Sequence, residues 1–250
     1  ALVKIYQSLL LISLYKVENK KEKIADFKTA ISSTVRSLSN SEKIEVSFGN
    51  DVSKSNVNSI RLPELNPVNN KYNYNQIRAI ADSKSLRHRF SDGKTFKQYE
   101  PKGNISKQLY RISEKIRCEK IGTSYFKGVK NNIEKFYQER ISGLDLKSSE
   151  DKIVESFENY LRTKFLDFKN NSQIDKKLKS YKKDLNEKFQ DKINQLNDFT
   201  LNQEKFNSLI SELIANMNLD ENLDEEKKKD DEKNNDDKQN KPDNQEKQAK

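Results

Sequence analysis

The side chains best suited to nucleophilic or metal chemistry are Cys118 and His88, each the single residue of its type in the chain. A catalytic cysteine needs a neighbouring base to form its thiolate. His88 stands between Arg87 and Arg89, whose positive charges disfavour a protonated imidazole. The sequence therefore argues against cysteine-histidine catalysis and against a zinc site. It predicts a buried thiol at Cys118, and a lone cysteine is typical of a reducing, cytoplasmic compartment.

A second candidate for chemistry is the segment Ser91-Asp92-Gly93-Lys94-Thr95, which ends like a phosphate-binding loop. That motif requires another glycine five positions before Gly93, where this chain has His88. It also follows a strand, whereas the spacing of Ile77, Ile80 and Leu86 predicts a helix. We expect a polar turn here rather than a nucleotide site.

A third candidate is Asp51-Val52-Ser53-Lys54-Ser55, which fits the D-x-S-x-S string that holds Mg²⁺ in von Willebrand A-type domains. Such a site needs further oxygen ligands and a preceding strand buried on both faces. The strand predicted before this segment alternates, with Glu45 and Ser47 facing outward. A solvated loop is therefore expected, and the sequence assigns no catalytic, cofactor or metal residue to this chain.

Composition limits the fold class. Only 32% of the residues are apolar and 35% are charged, with six glycines, four prolines and no tryptophan. So few turn residues disfavour an all-β sandwich or an α/β barrel, which leaves long helices. We predict a mainly α protein: a helical bundle with a long antiparallel helical hairpin and a small two-stranded β-hairpin near the N-terminus.

Two apolar patterns place these elements. Apolar residues at helical spacing predict helices in 21–38, 77–86, 105–116, 126–136 and 206–217, with Gly122 a helix end. Ile44, Val46 and Phe48 alternate with polar residues, and a second strand ends before Pro63. The two strands are expected to pair as the β-hairpin, although a loop of 49–56 is long for such a turn.

The helical hairpin is predicted from two facing stripes, Ile153 to Phe168 and Ile174 to Leu196, with Ser148 or Ser149 as N-cap. The resulting division is 1–143 as the N-terminal helical region, 144–220 as the hairpin with the terminal helix, and 221–250 as a disordered charged linker or tail. The apolar run Ile5 to Tyr15 is too short for a membrane span, which needs about 20 residues.

The positive net charge suggests an alternative function, the binding of nucleic acid. The net charge is +9, and the 220 residues before the tail carry +12, which suits a basic helical nucleic-acid-binding protein. The aromatics between Lys164 and Lys183, however, fall on the apolar stripe, so we expect them in the core rather than stacked on bases. A coiled-coil scaffold that self-associates through Ile153 to Leu196 is the other alternative.

Several segments in order carry a family resemblance. They are IEVSFGND (Ile44 to Asp51), IRLPE (Ile60 to Glu64), RAIADS (Arg78 to Ser83), RCEKIG (Arg117 to Gly122) and GVKNNI (Gly128 to Ile133). Together with Pro101-Lys102-Gly103, this series resembles the N-terminal part of the T subunit (CobT) of aerobic cobaltochelatase, over about 31–220. The family has histidine where this chain has Ile80 and Ser91.

The resemblance implies a role in the ATP-driven insertion of Co²⁺ into hydrogenobyrinic acid a,c-diamide during cobalamin synthesis. It implies two partners in a hetero-oligomer, an AAA+ ATPase subunit and a large tetrapyrrole-binding subunit, so that the complex and not this chain uses ATP and cobalt. The family continues through an acidic linker into a C-terminal metal-binding domain, and this chain ends in what resembles that linker. A non-catalytic adapter is therefore expected, without binding to nucleic acid or membrane.

The candidate partner contact lies between RCEKIG and GVKNNI. Gly122 and Gly128 would allow close backbone approach, and Arg117 and Glu119 would offer charged contacts at the rim of an interface. The alternative is that the two glycines shape a corner between helices.

Overall fold

A computed structural model gives the fold and describes residues 2–49, 58–65, 74–146, 148–169, 175 and 179–219. Within these ranges the protein is mainly helical, which confirms the predicted fold class. The predicted disordered linker 221–250 and the D-x-S-x-S segment Asp51 to Ser55 lie outside the described residues.

The elements follow one another as helices interrupted by a single pair of described strands. The helices are α1 (Leu2–Leu38), α2 (Tyr74–Phe90), α3 (Gly93–Gln98), α4 (Asn104–Tyr125), α5 (Lys127–Ser142), α6 (Ser149–Phe165), α7 (Lys179–Phe189), α8 (Ile193–Asp198) and α9 (Gln203–Ala215). The strands β1 (Glu45–Phe48) and β2 (Ser59–Leu62) lie between α1 and α2.

The predicted β-hairpin is wrong, because the two strands run parallel. Val46 lies opposite Ile60, and Phe48 lies opposite Leu62. Burial alternates in β2, where Ile60 and Leu62 are buried and Arg61 is exposed, but alternation carries no information about strand direction. Ten residues separate the strands. They can span roughly 33 Å, enough to return the chain to the start of its neighbour.

A smaller core cluster joins α1, the sheet and α2. Ile31 and Val35 of α1, on the predicted stripe, pack in this cluster with Ile60, Leu62 and Ile77. The side chain of Lys28 forms an ion pair with Glu64 just after β2, which adds a surface contact to the apolar ones. The sheet is thus held between α1 and α2.

The larger core cluster surrounds α4, which contacts α2, α5, α6 and α9. Leu109 and Ile116 of α4 are completely buried, as the predicted stripe requires. The cluster also takes in Phe157 from α6 and Ile210 from α9. The cluster includes residues from both sides of residue 143. The division into 1–143 and 144–220 stays a prediction.

The helical pair predicted after residue 148 begins as expected, with the Ser148 hydroxyl accepting a hydrogen bond from the Asp151 amide. The ring of Phe157 on α6 lies 5.6 Å from that of Phe189 on α7. A 3₁₀ turn, Gln190–Lys192, then separates α7 from α8. The residues of the second stripe therefore do not form one continuous helix. Residues 170–174 and 176–178 lie outside the description, and the antiparallel course of the pair stays a prediction.

Two further expectations concern aromatic residues and membranes. Phe165 and Phe168 are buried in the larger cluster, which confirms that these aromatics are core residues. Among the helices that the structure describes, none combines the length and the apolar character that a bilayer span needs.

Candidate functional site

Charged side chains from two helices, α4 and α6, meet inside the bundle. Arg162 of α6 donates from Nη1 to Oε2 of Glu119 on α4 at 2.8 Å, and from Nε to Oε1 of Glu158 at 2.8 Å. All three side chains are at most 8% exposed. Buried charges are tolerated only when they are paired and hydrogen-bonded, and these are.

Neighbouring residues extend this interior ion network to α5 and α2. Arg140 of α5 donates to Glu158 Oε2 at 2.8 Å and to both carboxylate oxygens of Glu155 at 2.6 and 3.0 Å. The Ser83 hydroxyl of α2 donates to Glu119 Oε1 at 2.6 Å. The network therefore fixes the relative positions of α2, α4, α5 and α6.

The network stays charged near neutral pH. Burial alone would raise the pKa of Glu158, but the positive charges of Arg162, Lys115 and Arg140 outweigh burial and lower the pKa to about 2. The pKa of Arg162 is shifted upward, because Glu119 and Glu158 outweigh the opposing effect of burial. A carboxylate held ionised in this way is suited to fixing helices and not to proton transfer.

A cavity of about 270 Å³ opens beside the network. Its walls come from α2, α4, α5 and α6, and include the apolar residues Ile80, Ile133 and Phe136 together with the paired groups Glu119 and Glu158. Lys84 and Arg87 of α2 also line it. The pair also borders a second cavity toward the sheet.

Arg117, one of the four predicted contact residues, lies in the interior. Its guanidinium is paired with Glu114 at 2.8 Å. It also donates to the backbone oxygens of Phe90 at 2.6 Å and Thr200 at 3.0 Å. Arg117 thus joins the end of α2 and the turn before α9 to α4. With only 1% of Arg117 exposed, the residue is no rim contact in this fold, and Glu119 is equally buried within the ion network.

The two glycines differ from each other. Gly122 lies inside α4, which continues to Tyr125, and not at the predicted helix end. A Cβ on Gly122 would meet Leu86 of α2 at 2.3 Å, so this glycine allows two helices to cross closely. Gly128 is exposed, and a Cβ there would find nothing within 4 Å. Of the four residues, Gly128 alone lies at the surface.

Two exposed aromatics beside Gly128 were missed by the sequence reasoning. Tyr125 is 67% exposed and Phe126 is 37% exposed, with ring centroids 6.4 Å apart. The sequence placed Phe126 on the buried stripe of α5. Phe126 instead forms the joint where α4 ends and α5 begins, with φ −126° and ψ 96°, so helical spacing does not govern its direction. We call residues 125–128 the α4–α5 corner.

The remaining candidates for chemistry have structural roles or are buried. Cys118 is completely buried, and burial raises the pKa of its thiol. In the GKT segment, Asp92 caps α3 and its carboxylate accepts hydrogen bonds from the Thr95 amide and hydroxyl. That carboxylate occupies the place at the helix start where a phosphate would need to lie. Among the residues described, no group of three or more His, Cys, Asp or Glu is arranged to hold a metal ion.

Comparison with models of known protein families gives a match over most of the chain. The family model described as cobalamin biosynthesis protein CobT matches residues 21–250, which is nearly the whole chain. No solved structure matches it.

Proposed function

This chain belongs to the family of the cobalamin biosynthesis protein CobT, and we propose that it is the non-catalytic adapter subunit of an ATP-dependent cobaltochelatase. The family acts in cobalamin biosynthesis as a cobaltochelatase subunit. In the proposal, the complex inserts Co²⁺ as substrate into hydrogenobyrinic acid a,c-diamide in the cytoplasm. The match over residues 21–250 is the observation that carries the proposal.

The interior chemistry supports an adapter more than a catalyst. Glu119 and Glu158 are both held in ion pairs with buried arginine, and the pKa of Glu158 is lowered rather than raised toward neutrality. A general acid or base is most effective with a pKa near the working pH. The ATPase reaction is accordingly assigned to the AAA+ subunit, and tetrapyrrole binding to the large subunit.

The α4–α5 corner is our candidate contact with the AAA+ subunit. Tyr and Phe are enriched in the centres of protein interfaces, and two of them are exposed here side by side. The sequence from Lys120 to Ile133 contains three lysines and no acidic residue. The fitting partner surface is therefore an apolar pocket with an acidic rim.

The other predicted contact residues have an indirect part in this proposal. Arg117 and Glu119 anchor α4 to its neighbours, and Gly122 sets the crossing of α4 with α2. Only Gly128 stands at the corner itself. The first three residues then position the corner, and Gly128 leaves space for the partner backbone.

Reconstitution of the reaction tests the proposal. The AAA+ and large subunits are combined with ATP, Co²⁺ and hydrogenobyrinic acid a,c-diamide, with or without this chain, and the cobalt corrin is measured by its absorbance. Insertion is expected only when the chain is present, while ATP hydrolysis by the chain alone stays at background. Full insertion without the chain, with an ATPase subunit that has been shown to be free of this chain, would refute the adapter role.

A further inference from the structure

A second cavity, distinct from the one beside the ion network, lies between β2, α2 and α3. It has a volume of about 340 Å³ and is open to solvent. Arg61 of β2 and Lys84, Arg87 and His88 of α2 line it, with Phe96 of α3 at its side. We call it the β2–α2 cavity.

The charge in this cavity is of one sign. Arg61, Lys84 and Arg87 line it, and the described residues that line it include no acidic side chain. Lys84 donates to the backbone oxygen of Arg61 at 2.6 Å, a neutral partner that leaves its charge uncompensated. The pKa of Lys84 is lowered, first by burial and then by the positive charge of Arg61.

Arg87 stands between the two cavities. Its guanidinium lies 5.1 Å from the centroid of the Phe96 ring, a contact that fixes the planar group without using its hydrogen-bond donors. Within the described part of the chain, Arg87 forms no ion pair. A guanidinium that is held against a ring and has no carboxylate partner among the described residues is well preorganised for an oxyanion.

The cations of the ion network differ from those of the β2–α2 cavity in their ion pairing. There, Arg140 and Arg162 are each bonded to glutamates, and Lys115 lies 3.8 Å from Glu158. In the ion network, the arginines that join helices are thus neutralised by glutamates of the bundle itself. Lys84 and Arg87 also border the cavity beside this network, but none of the cations Arg61, Lys84 and Arg87 forms an ion pair with a carboxylate of the described residues.

We propose that the β2–α2 cavity binds a small oxyanion, the phosphate or carboxylate group of a soluble ligand, between Arg61, Lys84 and Arg87. Arginine and lysine donors match both groups, and arginine can bind either one with two parallel hydrogen bonds. The Phe96 ring and Ile60 give the ligand an apolar wall. This proposal stands independently of the chelatase role.

His88 makes a direct test possible, because it lines the cavity and is the only histidine in the chain. In untagged protein, the Hε1 proton of its imidazole gives a single resonance that reports on this site. The full chain is titrated at low ionic strength with pyrophosphate and, separately, with citrate. A saturable shift of the resonance is expected with at least one probe, and the tighter probe identifies phosphate or carboxylate as the preferred group.

Two variants on the same helix distinguish the site from general charge attraction. Arg87→Gln should weaken the binding about tenfold or more, because charge-assisted hydrogen bonds are lost. Arg89→Gln removes the same charge two residues away, from a side chain directed toward the Leu38 carbonyl, and should leave the affinity unchanged. If Arg87→Gln loses its helical circular dichroism, Arg61→Gln takes its place, since Arg61 is exposed. No saturable shift with either probe, or equal weakening by Arg89→Gln, would overturn the proposal.

Discussion

Gly122 of α4 lies so close to Leu86 of α2 that residue 122 has no room for a side chain. A Cβ there would be 2.3 Å from Leu86 Cδ2 and 2.4 Å from Cδ1, whereas ordinary contact begins near 3.4 Å. Leu86 is completely buried and cannot turn outward. The crossing of α2 and α4, and with it the position of both cavities, depends on this pair.

Gly122→Ala should therefore destabilise the protein. Overpacking of a buried site costs about 1–3 kcal/mol. The better helix propensity of alanine returns at most about 1 kcal/mol. A net loss in the free energy of unfolding is expected, measured by urea denaturation followed by circular dichroism.

Gly128→Ala is the matched control, because the same change at the other glycine of the region meets open space. Its free energy of unfolding should equal that of the wild type or exceed it by up to about 1 kcal/mol. If both alanine variants were equally stable, the close crossing at Gly122 would be wrong.

Arg162→Met should cost more than any surface change, since it leaves Glu119 and Glu158 buried without their shared partner. Removal of one member of a buried ion pair costs about 3–5 kcal/mol. Urea denaturation of the two proteins gives the difference.

Arg111→Met provides the comparison for that loss. Arg111 is paired with Glu100 at 2.9 Å, but 56% of its side chain is exposed. Exposed pairs contribute up to about 1 kcal/mol. Equal losses in the two variants would show that the interior network contributes no more than a surface pair.

Acid should remove part of the stability through Glu158. Its pKa is lowered from 4.5 to about 2 in the folded protein, so the folded state binds the proton less readily than the unfolded chain. The resulting stabilisation is fully present above about pH 5 and is lost as the pH falls toward 2. At about 1.4 kcal/mol per pKa unit, its size is on the order of 3 kcal/mol.

The measurement compares wild type with Glu158→Gln across pH 7 to pH 2.5. The difference in free energy of unfolding should shrink as the pH falls, because a protonated glutamate resembles glutamine. Glu212→Gln, at an exposed position, should show a small difference at every pH. A gap for Glu158→Gln that does not change with pH would contradict the lowered pKa.

Local patterns in the sequence predicted the helices well. Helical spacing of apolar residues placed Leu109 and Ile116 in the core, and the Ser-Ser-Glu string located the Ser148 cap of α6. Both features depend on residues within a few positions of one another, which a single sequence displays directly.

Relationships between distant segments could not be predicted in this way. Glu119 and its partner Arg162 are 43 residues apart, and Arg117 reaches a carbonyl 83 residues away. Because neither partner is visible locally, the charges of Arg117 and Glu119 suggested positions at the rim of an interface. Strand direction and the 3₁₀ turn at Gln190–Lys192 likewise depend on tertiary packing. For the same reason, Phe126 was assigned to a buried stripe although it lies at a joint between helices.

The adapter role is tested most directly by co-elution of the chain with the AAA+ subunit in size-exclusion chromatography. We predict a complex with the wild type and its loss with the double variant Tyr125→Ser and Phe126→Ser, whose exposed side chains should not be needed for folding. Leu201→Ser removes an apolar side chain that is 78% exposed, away from the corner, and should leave the complex intact. Absence of a complex with the wild type would contradict the adapter role itself, and a complex that survives the double variant would contradict the α4–α5 corner as its contact.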